Sequence, residues 1–340
     1  MGAWVARHLA HAGHEVFILS RSAEGKRPVP LPTPTLNAGQ TPASFPADAA
    51  FAWLKPPCFV QADCVQDGPE RIAACLPENL DAIVHTAGHT AQDAAQGRES
   101  LLVNVLGTRN LLEGVRLYAP KKPPVVVYAS TFHVYGAVSG RIDEATECRP
   151  KNDYALTHLL AEDYCRYYAR ERGVPAIIYR CANGFGAPAC LPFAHWGLLV
   201  HDLCRTAVEQ GEIILKSPPD IRRSFIAMSE VARAVEALLA CSEEACKAGL
   251  FNLGGESLSI GHMAGMVAEE ASLFLGAEVP LRCLSAPQGV QADSLPELTL
   301  DCSRLHTITG FAARQDFRAE IRAILEFLVH HRAGEQDGAR

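Results

Sequence analysis

Residues Met1–Ser22 read "MGAWVARHLAHAGHEVFILSRS", and this stretch decides the fold. Its first half has the apolar spacing of an amphipathic helix that begins at residue 2, before any strand. Gly13-His14-Glu15-Val16 then leads into a short apolar run, Val16–Leu19. A helix, a glycine turn and a strand make the second half of a β-α-β unit. The stretch therefore raises the question of where the first strand is.

Working outward, apolar runs of strand length recur at Cys58–Ala62, Ala82–His85, Val125–Ala129 and Ala176–Arg180. Segments of helical period lie between them, including Ser100–Tyr118 and Tyr154–Arg172. Strands alternating with helices predict an α/β fold with a parallel sheet covered on both faces. Such sheets bind ligands at the carboxyl ends of their strands. Residues 24–57 break the alternation. Their many prolines exclude a regular helix or a central strand and predict an exposed, mostly extended insertion. After residue 183 the alternation weakens, and helices are expected near Gly197–Gln210, Glu230–Cys241, Gly261–Leu275 and Phe317–His331.

The 340-residue chain is long enough for a large core, and its net charge of −7 argues against a nucleic-acid or anionic-membrane surface. Twelve cysteines are scattered without a CxxC pair, so no metal site is expected. Reduced thiols packed as small apolar groups in a cytoplasmic protein account for them. Residues 1–20 lack the regions of a signal peptide, and no apolar run is long enough to span a bilayer.

Several motifs stand in one order along the chain: "LDAIVHTAG", "VNVLGTRNLLEGVR", "VVVYASTFHVYG", "YALTHLLAEDY" after a loop containing "IDE", "YRCANGFGAP", "RRSFIAMSEVARAV" and "FNLGGESLSI". Together they resemble the extended short-chain dehydrogenases/reductases of the NAD-dependent epimerase/dehydratase family, which act mainly on nucleotide sugars. The resemblance covers essentially the whole chain. It implies a Rossmann-like, doubly wound parallel sheet with a smaller mixed substrate-binding part toward the C-terminus. Residues 1–182, with 222–245 returning to them, would form the dinucleotide-binding domain. Residues 183–221 and 246–332 would form the substrate-binding part, followed by a disordered tail, 333–340.

Members of this family begin with a strand and a GxxGxxG turn. Gly2 holds the place of the last of those glycines, eleven residues before Gly13. The first strand and the first two glycines are then missing, and the neighbouring strands would lose backbone partners, at about 1–3 kcal/mol per unpaired buried group. The expectation is a working protein that begins further upstream.

The resemblance also implies cofactor contacts. At the end of the second strand, the usual acidic residue that holds an NAD ribose is replaced by Ser20, followed by Arg21. That pair suits a 2′-phosphate and favours NADP over NAD. Asp63 matches the acidic residue near the adenine, Ala87 and Gly88 the turn lining the cofactor, and Asn104 the helix asparagine near the nicotinamide; Ser130 is a further cofactor contact.

The family's base is the tyrosine of Tyr-x-x-x-Lys, two residues on one helical face. Here the pattern is Tyr154-Ala155-Leu156-Thr157-His158, so the lysine has become a histidine. Imidazole can still donate to a ribose, but it is shorter and, with an unperturbed pKa of about 6.5, mostly neutral at pH 7. A working variant, a slow enzyme and a cofactor-binding or protein-interaction module without turnover are the three readings. The retained "AED" and Tyr154 favour the working variant. Thr131 takes the catalytic Ser/Thr position. Phe132-His133 replaces the Asp-Glu of the 4,6-dehydratases, which argues against dehydration; His133 is instead a second acid/base or a substrate contact. Asn183 and Arg223 match residues that bind the diphosphate of the nucleotide sugar, and His195, Trp196 and His201 are candidates to line the sugar pocket. The expected activity is an NAD(P)-dependent nucleotide-sugar epimerase or reductase. A homodimer through Ser100–Tyr118 and Tyr154–Arg172 is also implied.

Overall fold

The computed structural model describes residues 1–21, 27–28, 58–89, 97–118, 122–136, 139–191, 196–284, 298–314 and 316–337. Helix α1 (Gly2–His11) buries Trp4, Val5, Leu9 and Ala10, and the chain turns out of it at Gly13, whose φ of 94° excludes most side chains. Strand β1 (Phe17–Ser20) follows. The predicted insertion lies outside the described residues except for β2 (Arg27–Pro28). Then come β3 (Cys58–Gln61), α2 (Pro69–Cys75), β4 (Ala82–His85), α3 (Gly97–Ser100), a π-helical segment Leu101–Gly107 and α4 (Thr108–Tyr118). Strand β5 (Val125–Thr131) is buried at all seven positions, as a β-branched run inside a parallel sheet should be.

A 3-10 turn, Phe132–Tyr135, ends at Gly136, where φ is 62° and a Cβ would lie 2.0 Å from the Arg149 carbonyl oxygen. Only glycine fits there. Beyond β6 (Arg141–Ile142), α5 (Asp153–Glu171) starts at Asn152, whose side chain accepts from the Ala155 N–H at 2.9 Å. The chain continues through β7 (Ala176–Cys181), β8 (Asn183–Phe185), β9 (Cys190–Leu191), α6 (Leu199–Gln210), β10 (Ile213–Leu215), β11 (Arg222–Ala227), α7 (Met228–Ala240) and α8 (Ser242–Ala248). It ends with β12 (Leu250–Leu253), β13 (Ser257–Ser259), α9 (Ile260–Leu275), β14 (Leu281–Cys283), β15 (Thr299–Leu300), α10 (Ser303–Thr309) and α11 (Phe317–Asp337).

The main sheet is parallel, in the order β12-β7-β5-β4. On one face α4 and α5 bury Leu112, Val115, Ala161 and Cys165 against Val126, Tyr128 and Ile178. On the other, α1, α6, α7, α9 and α11 form one continuous core with Val125, Val127 and Ile177. This is the expected doubly wound α/β arrangement. Strand β12 pairs with β7 in the main sheet. Of residues 222–245, β11 pairs with β8 and β13 in a separate sheet, while α7 packs into the core of the main sheet.

Strands β1 and β3 form a second parallel pair, separate from the main sheet. Among the described residues no strand joins β1 to β4. All four residues of β1 and three of the four in β4 are only half-buried, unlike β5 and β7. That is the exposure expected where a parallel sheet lacks a partner strand.

Candidate active site

The carboxyl ends of β4, β5 and β7 converge with the first turns of α5. Thr131 ends β5, and Tyr154 and His158 lie one turn apart on α5, so their rings meet edge to face with centroids 4.6 Å apart. The turn after β4 closes the other side. A Cβ on Gly88 would come within 3.5 Å of Asn104 Oδ1 and 3.6 Å of His158 Cε1. The π-helical segment turns Asn104 fully inward, where its Nδ2 donates to Thr157 Oγ1 at 2.9 Å and its Oδ1 accepts from the His89 N–H at 2.7 Å. Asn104 thus ties α5 to the turn that carries Gly88; π-turns are often found at functional sites.

Burial raises the Tyr154 pKa above its ordinary value, opposed by a hydrogen bond with Thr131. Burial also lowers the His158 imidazole to about 4, with Glu162 opposing and His85 and His133 adding to the depression. At neutral pH the site therefore holds a protonated tyrosine beside a neutral histidine. His133 stands 6.1 Å from the Tyr154 ring, centroid to centroid. Its pKa is lowered by surrounding protein and by the Arg223 charge, although its side chain reaches the surface. Arg223 comes from β11, and its own pKa is lowered by burial.

Thr131, His133, Tyr154, His158, Gly88, Asn104 and Arg223 are thus brought together. Ser130, a neighbour in sequence, is turned to the opposite face of β5, where its hydroxyl donates to Glu162 Oε1 at 2.5 Å. Glu162 is fully buried and also takes Arg180 at 2.7 Å and Arg166 at 2.6 Å. Ser130 is therefore held inside a buried ionic cluster and is not presented to a cofactor. Asn183 donates from Nδ2 to the Ser224 carbonyl at 3.0 Å, inside its own sheet. Trp196 packs on Phe327 and His201, and His201 bonds the Gly186 carbonyl, so both serve the core; His195 lies outside the described residues.

The remaining positions lie along the other strand ends. Ser20 ends β1 and Arg21 is exposed beside it. Asp63 closes a turn, its Oδ1 accepting from Val65 N–H at 2.8 Å and Gln66 N–H at 3.3 Å. Ala87 is exposed in the turn after β4. Gly2 sits at the tip of α1, and a Cβ there would meet Thr86 Oγ1 at 2.5 Å.

Sequence reasoning passed over His85, Thr108 and Tyr128. His85 Nε2 and Thr108 Oγ1 lie 2.9 Å apart, and Tyr128 Oη lies 2.8 Å from His158 Nδ1, all buried. For His85 and Tyr128 the signal was a polar side chain inside an apolar strand run, which must find a partner when buried; Thr108 opens α4 and carried no such signal. Among the described residues no group of histidines, cysteines and acids is arranged to hold a metal, and no helix is long and apolar enough to cross a membrane.

A parallel sheet wound on both faces, with Tyr154 and Thr131 at its carboxyl edge, places these residues where sheets of this kind bind their ligands. Residues 1–254 match the family model for the NAD dependent epimerase/dehydratase family, and the chain belongs to that family. It is 26% identical over 297 residues to GDP-6-deoxy-D-mannose reductase of Pseudomonas aeruginosa, covering 83% of this chain and 90% of that one. Its fold is similar to that of RMD from Pseudomonas aeruginosa complexed with NADPH (TM-score 0.67, 23% identity, 82% of this chain and 91% of that one). It is also similar to UDP-glucuronic acid 4-epimerase from Bacillus cereus in complex with NAD (TM-score 0.66, 19% identity, 80% of this chain and 78% of that one).

Proposed function

We propose that this protein is a nicotinamide-dependent nucleotide-sugar oxidoreductase that works in the reductive direction at neutral pH, with Tyr154 as general acid. The arrangement of the carboxyl edge carries the reading: Tyr154 lies one turn from His158 with rings 4.6 Å apart, beside Thr131 at the end of β5, and burial keeps the phenol protonated beside a neutral imidazole, which supports a role as proton donor. A protonated tyrosine can donate to the oxygen of a keto sugar as it is reduced. A family lysine would favour the tyrosinate needed for the reverse step. The resemblance to a GDP-6-deoxy-D-mannose reductase supports the same reading.

The residues present fit a nicotinamide dinucleotide. Gly88 brings the backbone of the turn close to Asn104 and His158, where a Cβ would touch both, and the first N–H groups of α1 have no side-chain cap, which suits a pyrophosphate. Ser20 with Arg21 supports NADP as the form bound. When bound, the nicotinamide supplies the hydride. Thr131 orients the reacting oxygen beside Tyr154, and Arg223 with His133 faces the substrate's anionic part.

Helix α5 exposes Leu156, Leu160, Tyr164 and Tyr167 along one stripe, with Leu101 and Leu106 exposed on the segment before α4. An apolar stripe on two helices suits a second copy of this chain and supports a homodimer. The free cysteines fit a reducing compartment such as the cytoplasm.

The test supplies keto nucleotide sugars with NADPH or NADH and follows nicotinamide absorbance and sugar product together. One cofactor oxidised per sugar reduced supports the proposal. Sugar interconversion with no net cofactor change moves the assignment to an epimerase. Cofactor binding with no turnover of any nucleotide sugar refutes it in favour of a binding module.

A further inference from the structure

We infer that Tyr128 is a positioning residue: its hydroxyl anchors the Nδ1 edge of the His158 imidazole and so fixes which edge of the ring is turned to the site. The inference deepens the functional reading above and rests on it for its meaning, because the edge left over is the one turned toward a nicotinamide cofactor. A lysine needs no such anchor. Its ammonium rides on a flexible four-carbon stem, and its three donors rotate. An imidazole is short and planar, and its polar atoms occupy fixed corners of the ring. It serves only in the right orientation.

Tyr128 stands on β5 and His158 on the second turn of α5, and both are buried. Tyr128 Oη lies 2.8 Å from His158 Nδ1, and the imidazole makes no other hydrogen bond among the described residues. The contact forms with the hydrogen on either atom, so the anchoring does not depend on which one carries it. With Nδ1 held, the far corners of the ring reach the turn after β4: a Cβ on Gly88 would lie 3.6 Å from Cε1 and 3.7 Å from Nε2. Turning the ring over about its Cβ–Cγ bond would exchange Nδ1 for Cδ2 and Nε2 for Cε1. Tyr128 Oη and Nδ1 would then lose each other in a buried setting, which is costly. Packing cannot make this choice. A flipped imidazole keeps nearly the same outline, so the Tyr154 ring, edge to face at 4.6 Å, accepts either orientation. The Tyr128 ring itself belongs to the apolar cluster of Leu112, Val115 and Cys165. That cluster uses the ring; the hydroxyl is the part that reaches His158.

Tyr128→Phe tests this by keeping the ring in its cluster and deleting the hydroxyl. The first readout needs no cofactor: proton NOEs in the full chain with labelled histidine and aromatic residues, the His158 signals being assigned by their loss in His158→Ala. In the parent the Cε1 hydrogen, beside Nδ1, should show NOEs to the Tyr128 ring, and the Cδ2 hydrogen none. In Tyr128→Phe the Cδ2 hydrogen should gain them as both orientations fill. The second readout is the dissociation constant of NADPH by fluorescence titration. Tyr128→Phe should weaken binding about 2–10-fold in the parent background and leave it unchanged in the His158→Ala background. A merely structural role would weaken both backgrounds alike. Tyr128→Met carries the binding readout if Tyr128→Phe does not fold. The inference is overturned by a parent with the Cδ2 hydrogen against Tyr128, by NOEs that Tyr128→Phe does not alter, or by equal loss of binding in both backgrounds. A parent that binds no NADPH fails the functional reading, and the NOEs then decide the inference alone. A chain that shows the expected NOEs but reduces no nucleotide sugar refutes the function and leaves the positioning standing; an active chain whose ring orientation ignores Tyr128 does the reverse.

Discussion

The His158 imidazole stands edge-on to the Tyr154 ring, centroids 4.6 Å apart, and is neutral at physiological pH. On the proposed function, the pair serves to give up a proton from oxygen. Tyr154→Phe keeps the ring and removes only the acid. Turnover should fall by about 10²–10⁴-fold with the unfolding midpoint nearly unchanged, read by steady-state kinetics and denaturant titration. Full activity in this variant would show that another group supplies the proton.

His158→Lys restores a cation beside the phenol. A cation favours tyrosinate, so the Tyr154 pKa should fall. In the oxidative direction, where tyrosinate is the base, the rise of kcat/KM with pH should move to lower pH than in the parent. In the reductive direction the loss of rate at high pH should begin earlier. A pH profile that does not move would disconnect residue 158 from the titration of Tyr154.

Acid should loosen the fold through two histidines. Burial holds His85 and His158 at about 4, below their free value of about 6.5. Between those values the unfolded chain binds more protons, so the stability linked to these groups is complete above pH 6.5 and is lost as pH falls through about 4. Each group accounts for on the order of 3 kcal/mol. Glu320 acts with the opposite sign: burial raises its carboxyl to about 7, so its contribution fades as pH rises toward that value. Comparison with variants separates them. His85→Gln and His158→Gln should each show a shallower decline of the urea midpoint on acidification than the parent; parallel declines would count against buried neutral imidazoles.

Glu162 is the hub of the buried cluster behind the site, shared by Arg180, Arg166 and Ser130. Glu162→Gln leaves the Arg180 charge buried without its counter-ion. The expected destabilisation is about 3–5 kcal/mol in chemical denaturation. Arg166→Ala, which removes the more exposed partner, should be milder.

The exposed stripe on α5 predicts the assembly. If the stripe is the interface of the proposed homodimer, Leu156→Asp combined with Tyr164→Glu should yield a monomer in sedimentation velocity where the parent sediments as a dimer, while circular dichroism stays the same. A parent that sediments as a monomer would remove the stripe as an interface.

The main strands and helices were legible because β-branched runs and helical spacing carry them: Ala82–His85 was read with both ends as observed, and Tyr154 was placed on its helix. The small sheets were not. Strands such as Asn183–Phe185 and Ser257–Ser259 are too short for any periodicity to register. Ser130 and Thr131 show the limit at the site. Thr131 was read as the catalytic hydroxyl and Ser130 as a cofactor contact, yet successive strand residues face opposite sides, and only the position of Glu162 shows that Ser130 is enclosed. Glu162 lies one helical turn beyond His158, so its partner across the sheet could not be read from spacing along the helix alone.

The π-helical segment Leu101–Gly107 carries one more residue per turn than the helix it leads into. An α-helix rotates by about 100° for each residue. Removing a single residue there would let the segment relax to α-geometry with its helical content intact, and would swing Asn104 away from Thr157 and the His89 backbone. Chain length inside a helix, normally a matter of indifference at the surface, is here a coordinate of the site: the spacing between residue 101 and residue 107 sets where the amide points, independently of which side chains surround it.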